Sequence, residues 1–344
     1  MVKKSPKNNL TRIIMLIMAS ILICLVAIGT ILLLWPQNNI DSKIKVNIPK
    51  GSTLAQITGL LAEKNILTNE NMFITTASLM GYGEKIPAGI FAFKNAKNNY
   101  RIIKQLVRGN PEMIRITLLE GWTISQVTQA ISESMNLSSE ILSSLCYDEQ
   151  FIIDLGLEAR SLEGYLFPDT YLFLESESDP KEILRQIVTE FNSVYNDDLR
   201  KRTEQIGLTI NEVLTLASII EGEAIFGSER AIISAVFHNR LKKGMPLQAD
   251  PTIQYIIKDE PRRLSLSDLK IESPYNTYLY RGLPPGPIGN PGKASIFAAL
   301  YPDDNDYLFF VARGDGYHTF TRTFDEHNQA KREFQKVRRL AVQG

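Results

Sequence analysis

Cysteine is scarce in this chain: Cys24 and Cys146 are the two present in 344 residues. Cys24 sits inside an apolar run, so no disulfide is available to the rest of the chain, which must be held by packing. Histidine is nearly as rare. His238, His318 and His327 are the three, and no third partner stands at recognisable ligand spacing beside His318 and His327, so neither a metal nor a cofactor is expected. An excess of either charge sign is also missing, with 38 Lys plus Arg against 38 Asp plus Glu. That balance argues against nucleic acid as the main partner, because phosphate binding depends on a basic surface. No small-x-small cleavage site follows Leu32-Leu33-Leu34-Trp35-Pro36, and Ile23 before Cys24 fits a lipoprotein site poorly.

What the chain does have, first, is an uncharged run from Ile13 to Trp35 preceded by Lys3, Lys4, Lys7 and Arg12. The run is long enough to cross a bilayer core of about 30 Å as a helix, and the basic flank keeps its start in the cytoplasm. The expectation is a cytoplasmic tail over 1–12, an uncleaved single-pass anchor over 13–35 in the plasma membrane, and everything after Gln37 on the outer side. A length of 344 residues with 44% apolar content allows two or three domains with real cores.

Beyond the anchor, Lys45 to Ile57 alternates, turns at Gly51 and enters a helix carrying Leu54, Ile57, Leu60 and Leu61. Ile116 to Val127 repeats this arrangement, with glycine, threonine, glutamine and apolar positions coinciding, which points to duplication of one supersecondary unit. Between the copies, Pro87–Phe93 reads as a strand and Tyr100–Val107 as a helix. The first copy resembles a LysM-like module, a fold associated with binding the sugar chains of the bacterial cell wall. A LysM-like subdomain is expected over 42–115, with its boundary within about ten residues of Gly109-Asn110-Pro111, and a catalytic domain over 116–344.

Ser161 to Phe173 crowds four aromatics with two acids, a glycine and a proline. Rings beside hydrogen-bonding acids suit a sugar-binding wall, which makes Glu163, Tyr165 and Asp169 candidates; the plain alternative is a strand pair whose alternating aromatics fill the core. Further along, Thr209 and Glu212 form a capping box that opens a helix, and Ile210, Val213, Leu214 and Ala217 mark its buried side. Glu221 falls at the margin of that side. A carboxyl group partly removed from water holds its proton more strongly and can serve as a general acid. Glu223 lies roughly 200° round the same helix, so both acids cannot serve one site.

Ser228 is expected to cap a following helix through Leu241 that carries His238, Asn239 and Arg240. Arg240 suits a carboxylate, and Gln248, Asp250 and Gln254 supply substrate donors and acceptors, or else a turn and a helix cap. Ser273–Tyr278 and Arg281–Gly292 form a long loop that prolines restrict and glycines bend, from which Asn276, Tyr278 and Asn290 are chosen for ligand contact. A hairpin from Asp306 to Thr321 and a helix from Asp325 complete an α+β chain.

Blocks around Glu163–Tyr171, Ala217–Glu221, Phe237–Leu241, Leu247–Thr252, Tyr275–Tyr278, Gly282–Ile288 and His318–Phe320 together resemble the YceG-like endolytic murein transglycosylases. The resemblance implies cleavage within peptidoglycan glycan strands, with Glu221 catalytic. The substrate-contact candidates are Glu163, Tyr165, Asp169, Arg240, Gln248, Asp250, Asn276, Tyr278, Asn290 and His318. This chain has Gly222-Glu223-Ala224 where relatives often carry a lysine, a glutamate and a threonine. The implied chemistry uses one carboxyl twice and leaves a 1,6-anhydro end, terminating strands beside peptidoglycan synthases. The alternatives are a lysozyme-like muramidase hydrolase, for which Asp169 or Asp250 would be the second acid, and a non-catalytic wall-binding scaffold.

Overall fold

The computed structural model describes residues 7–38, 43–83, 86–108, 111–176, 179–257 and 262–343. Lys3 and Lys4 of the expected tail, and Gly109-Asn110 at the expected boundary, lie outside them. The chain divides into two units, Met1–Ile114 with Leu172–Glu177, and Arg115–Tyr171 with Ser178–Gly344.

In the first unit, α1 (Lys7–Leu34) is followed by β1 (Ile44–Ile48), α2 (Leu54–Glu63), α3 (Glu70–Leu79), β2 (Gly89–Phe93) and α4 (Asn99–Arg108). Within α1, Leu10–Leu34 is long and apolar enough to cross a membrane. β1 and β2 pair antiparallel, Val46 opposite Phe91 and Ile48 opposite Gly89. The period of two in the strands sends Val46, Ile48, Phe91 and Phe93 inward, where they meet Ile57, Leu61, Phe73, Ile102 and Leu106. Gly89 is required where it stands: at φ +135° an added Cβ would lie 2.5 Å from Pro111 Cβ. The turn into α2 is closed by a capping box, Thr53 bonding Gln56 N and Gln56 bonding back to Thr53 N at 2.8 Å.

The repeat of that turn joins β3 (Met113–Thr117), which enters the second unit at Arg115, to α5 (Ile124–Met135), again with a capping box, here Thr123 and Gln126. Then come α6 (Ser139–Leu145), α7 (Glu149–Asp154), β4 (Thr170–Leu174), α8 (Pro180–Val194), α9 (Asp197–Gln205), α10 (Ile210–Glu223), α11 (Arg230–Lys242), α12 (Asp250–Ile257), α13 (Lys293–Leu300), the antiparallel hairpin β5 (Phe309–Ala312) and β6 (His318–Thr321), and α14 (Phe324–Gln343). β3 pairs with β4. The protein is α+β.

Three local expectations change. Of the aromatic stretch, Thr170–Leu174 alone is strand; Tyr165 and Phe167 are nonetheless buried, Tyr165 edge-on to Phe191 at 5.1 Å between ring centres. Ser228 is not a helix cap: it sits in a short 3-10 turn, and α11 starts at Arg230 without a side-chain cap. α10 is not one-sided. Every residue from Val213 to Ile220 is buried, because α11, α12 and α13 pack around it.

Candidate active site

A helix buried on all sides emerges from the core only at its end, and α10 ends on Glu221-Gly222-Glu223. The Glu221 side chain is 7% exposed. One carboxylate oxygen accepts from Arg230 Nη2 at 2.8 Å and the other from the backbone N–H of Gly292 at 3.0 Å. Gly292 is the N-cap of α13 and has no side chain to cap it, so the acid of α10 occupies the positive end of a second helix. Arg230 is itself fixed, donating from Nε to Ser295 Oγ at 3.0 Å.

A second carboxylate shares that arginine. Glu120 Oε2 lies 3.9 Å from Arg230 Nη2, and its side chain is half exposed. Partial desolvation and the nearby charge of Glu221 raise the pKa of Glu120, while Arg230 opposes the shift. Glu120 rests over Gly292, where an added Cβ would meet Glu120 Oε1 at 1.9 Å. Gly121, at φ +79°, brings its backbone beside Glu221, an added Cβ falling 3.7 Å from Glu221 Cγ.

The strand–glycine–helix turn is held in this position by Asn290. Gly121 N donates to Asn290 O at 2.7 Å, and Asn290 donates from N and Nδ2 to Trp122 O, both at 2.8 Å. Asn290 Oδ1 accepts from Gly164 N and Leu166 N, both at 2.9 Å. Glu163 completes the knot, accepting from Ile124 N at 2.9 Å and from Asn290 Nδ2 at 3.3 Å. Burial pushes Glu163 up to about 8, against the opposing pull of the Ile124 N–H and the Tyr255 hydroxyl. Ser218 Oγ accepts from Ile288 N at 3.0 Å, tying the same loop to α10.

Glu223 turns to another set of groups. Burial first, then the Asp250 charge, push it up to about 8, while the Asp250 backbone and Arg240 oppose the shift. The Tyr278 hydroxyl donates to Asp250 Oδ1. Gly222 separates the two sets of acids: a Cβ there would stand 2.6 Å from Pro251 Cβ, so this approach of α10 to the Asp250-Pro251 turn admits no side chain.

The model of the YceG-like family matches residues 46–333, most of the chain. The chain belongs to the YceG-like family. It is 35% identical over 311 residues to the endolytic murein transglycosylase of Bacillus subtilis, covering 86% of each chain. It is 30% identical over 309 residues to the endolytic murein transglycosylase of Streptococcus pneumoniae D39, covering 80% of this chain and 55% of that one. It therefore spans about half the length of the pneumococcal relative. The crystal structure of a YceG-like protein from Listeria monocytogenes superposes with a TM-score of 0.59 at 32% identity, over 83% of this chain and 98% of that one.

On this YceG-like frame the expected contact residues separate. Glu163, Tyr165, Arg240, Asn276 and Asn290 are buried. Their polar atoms serve the protein. Arg240 holds Leu308 O at 2.6 Å and Leu247 O at 2.5 Å, and Asn276 Nδ2 holds Leu269 O and Ile271 O at 3.1 and 2.8 Å. His318 is also inside: its N and Nδ1 meet the two oxygens of buried Glu229 at 3.0 and 2.8 Å, pinning the β5–β6 hairpin to the residue before Arg230. Tyr317 stacks on Phe226 at 4.2 Å in the same contact. Gln248, Asp250 and Tyr278 keep surface, and Gln248 takes φ +52°, a turn conformation locked by Thr277 O at 3.0 Å. Asp169 is exposed at the end of the β3–β4 pair, where its Oδ1 accepts from Thr170 N. Arg230, Glu120, Gly292 and Glu229 were missed. A glycine before a helix with no capping residue, and a glutamate fixed beside an obligatory turn glycine, were the available signals.

Proposed function

We propose that this chain is a membrane-anchored endolytic murein transglycosylase whose acid and base is Glu221. The reading rests on the setting of that one side chain: nearly enclosed, bonded to the backbone at the start of α13, and paired with an arginine that has a second acid within reach. The relatives' names supply the substrate class, bacterial glycan strands.

The reaction needs the carboxyl group in two states. Protonated, Glu221 donates to the oxygen joining N-acetylmuramic acid to N-acetylglucosamine while positive charge develops at the muramic C1. Ionised, it takes the proton of the C6 hydroxyl of the same sugar as the C6 oxygen bonds to C1, closing a 1,6-anhydro ring. An intramolecular nucleophile needs no activated water. Arg230, fixed by Ser295 and 2.8 Å from Glu221, stabilises the carboxylate that proton donation leaves.

Glu120 also favours one rival reading. A lysozyme-like hydrolase needs a second acid near the first, and the acid near Glu221 is Glu120 rather than Asp169 or Asp250. Digestion of uncrosslinked glycan separates the two by mass, since an anhydro end is one water lighter than a reducing end. Glu221→Gln should lower strand cutting on the order of a thousandfold while the folded state persists; normal cutting by that variant would falsify the assignment. A zymogram on intact sacculi excludes a purely binding role if clearing is seen.

In this reading α1 crosses the plasma membrane with the basic tail inside and the remainder outside. Residues 42–115 act as a LysM-like wall-binding subdomain and 116–344 as the catalytic domain, beside peptidoglycan synthases. Anchoring confines the enzyme to glycan made near the bilayer.

A further inference from the structure

α1 does not end in a free linker. The Leu32 carbonyl, one of the last-turn acceptors that a helix leaves unpaired, receives Asn99 Nδ2 at 3.0 Å and Thr76 Oγ1 at 3.2 Å. Gln37 then donates from its backbone to Lys97 O at 3.0 Å and from Nε2 to Asn99 Oδ1 at 2.5 Å. Its Oε1 accepts from Thr68 N at 2.5 Å. Asn99, Thr76 and Gln37 are all buried. The start of α4 and the last turns of α3 are therefore locked at the level where the apolar run of α1 stops.

The outward-facing residues at that level have a distinct character. Leu79, one turn after Thr76 and so on the same side of α3, is 73% exposed, and Tyr100 is 41% exposed. Lys97, Arg101 and Lys104 are exposed within four residues of Tyr100 in the sequence, and Lys104 Nζ lies 5.9 Å from the centre of the Tyr100 ring. From Ile86 to Val107 the sequence contains no acid. None of the three bases has a carboxylate partner among the described residues. In a chain whose total charge is zero this is a local excess of one sign. An apolar side chain, a tyrosine and unpaired bases on one face are what the boundary of an anionic bilayer binds.

We infer that the face formed by Leu79, Lys97, Tyr100, Arg101 and Lys104 rests on the anionic headgroups of the bilayer that α1 crosses. The inference depends on α1 being an anchor. The first unit then lies against the membrane in a fixed attitude instead of swinging on a tether, with Leu79 and Tyr100 at the acyl boundary and the bases on lipid phosphates. Screening by salt should loosen the electrostatic part.

The test uses the full chain in nanodiscs, with Cys24→Ser to remove the reactive thiol; buried Cys146 stays in place. Single cysteines at Ile17, Leu79 and Glu63 carry a nitroxide, and its depth is read from collision with oxygen against a water-soluble nickel complex. With phosphatidylglycerol present, the label at 17 should be deep, that at 79 at headgroup depth and that at 63 fully aqueous. Lys97→Glu, Arg101→Glu and Lys104→Glu together, or lipid of phosphatidylcholine alone, should move the label at 79 into water and leave 17 and 63 unchanged. A label at 17 open to nickel would defeat the anchor reading itself. A deep label at 17 with 79 as aqueous as 63 would overturn the inference. So would a depth at 79 that charge reversal does not change, or shielding of 79 by added glycan strands in place of lipid.

Discussion

The two strand–glycine–helix turns of this protein are nearly the same object locally. Gly51 and Gly121 take φ of +82° and +79°, and each is followed by a threonine N-cap and a glutamine that closes a capping box. Their surroundings differ. Nothing would touch a Cβ on Gly51, and Pro49, Gly51, Ser52 and Gln56 help line an open cavity of about 410 Å³. Around Gly121 the loop bearing Asn290 and Gly292 closes, and Glu120, where the first copy has Lys50, joins Glu221 and Arg230. One local fold becomes a cleft wall in one place and part of the candidate active site in the other, and the difference comes from what is packed on it.

Substituting Gly292→Ala should break that difference most severely. Its Cβ would displace Glu120 and shift the amide that holds Glu221, so turnover should fall about a hundredfold. Circular dichroism should show the helices kept. Next, Glu120→Gln should reduce turnover by roughly tenfold by leaving Arg230 on Glu221 alone, whereas Lys50→Gln should leave it unchanged; equal effects from the two would remove Glu120 from the mechanism.

A third measurement concerns pH. Glu163 is pushed up to about 8 in the folded chain, from an ordinary 4.5. The folded state therefore binds a proton that the unfolded chain has already released. This contribution to stability is complete below pH 4.5 and is lost as pH rises through about 8. Glu163→Gln, read by denaturant midpoints across that window, should flatten the slope, while the similar shift at Glu223 leaves a remainder. The smallest effect is the capping one. Thr53→Ala and Thr123→Ala should each cost about 1 kcal/mol, and only the second should also slow strand cutting.

Much of the architecture was readable because its causes are short-range. The box of Thr209 and Glu212 opens α10, the alternation of Val46 and Ile48 faces the first core, and Gly314-Asp315-Gly316 joins β5 to β6. α9 and α13 were not anticipated. α9 is mostly charged, and α13 follows a loop rich in glycine and proline, so neither carries a clear apolar stripe at its start. Within the candidate site, Glu221 could be singled out as a candidate from its helix alone, and its partners Arg230, Glu120 and Gly292 could not. Asn290 and Asn276 look like ligand contacts in a loop sequence, and in the fold their side-chain amides bond to the backbone that shapes that loop.

The sequence alone determined the apolar segment, the twin capped turns and the acid at the end of a hydrophobic helix, because each depends on residues within a few positions of one another. Only the tertiary structure decided which acid meets an arginine. Glu120, Glu221, Arg230 and Gly292 come from four separate segments, and their charges and backbone donors interact at hydrogen-bond range only after the core around α10 has closed.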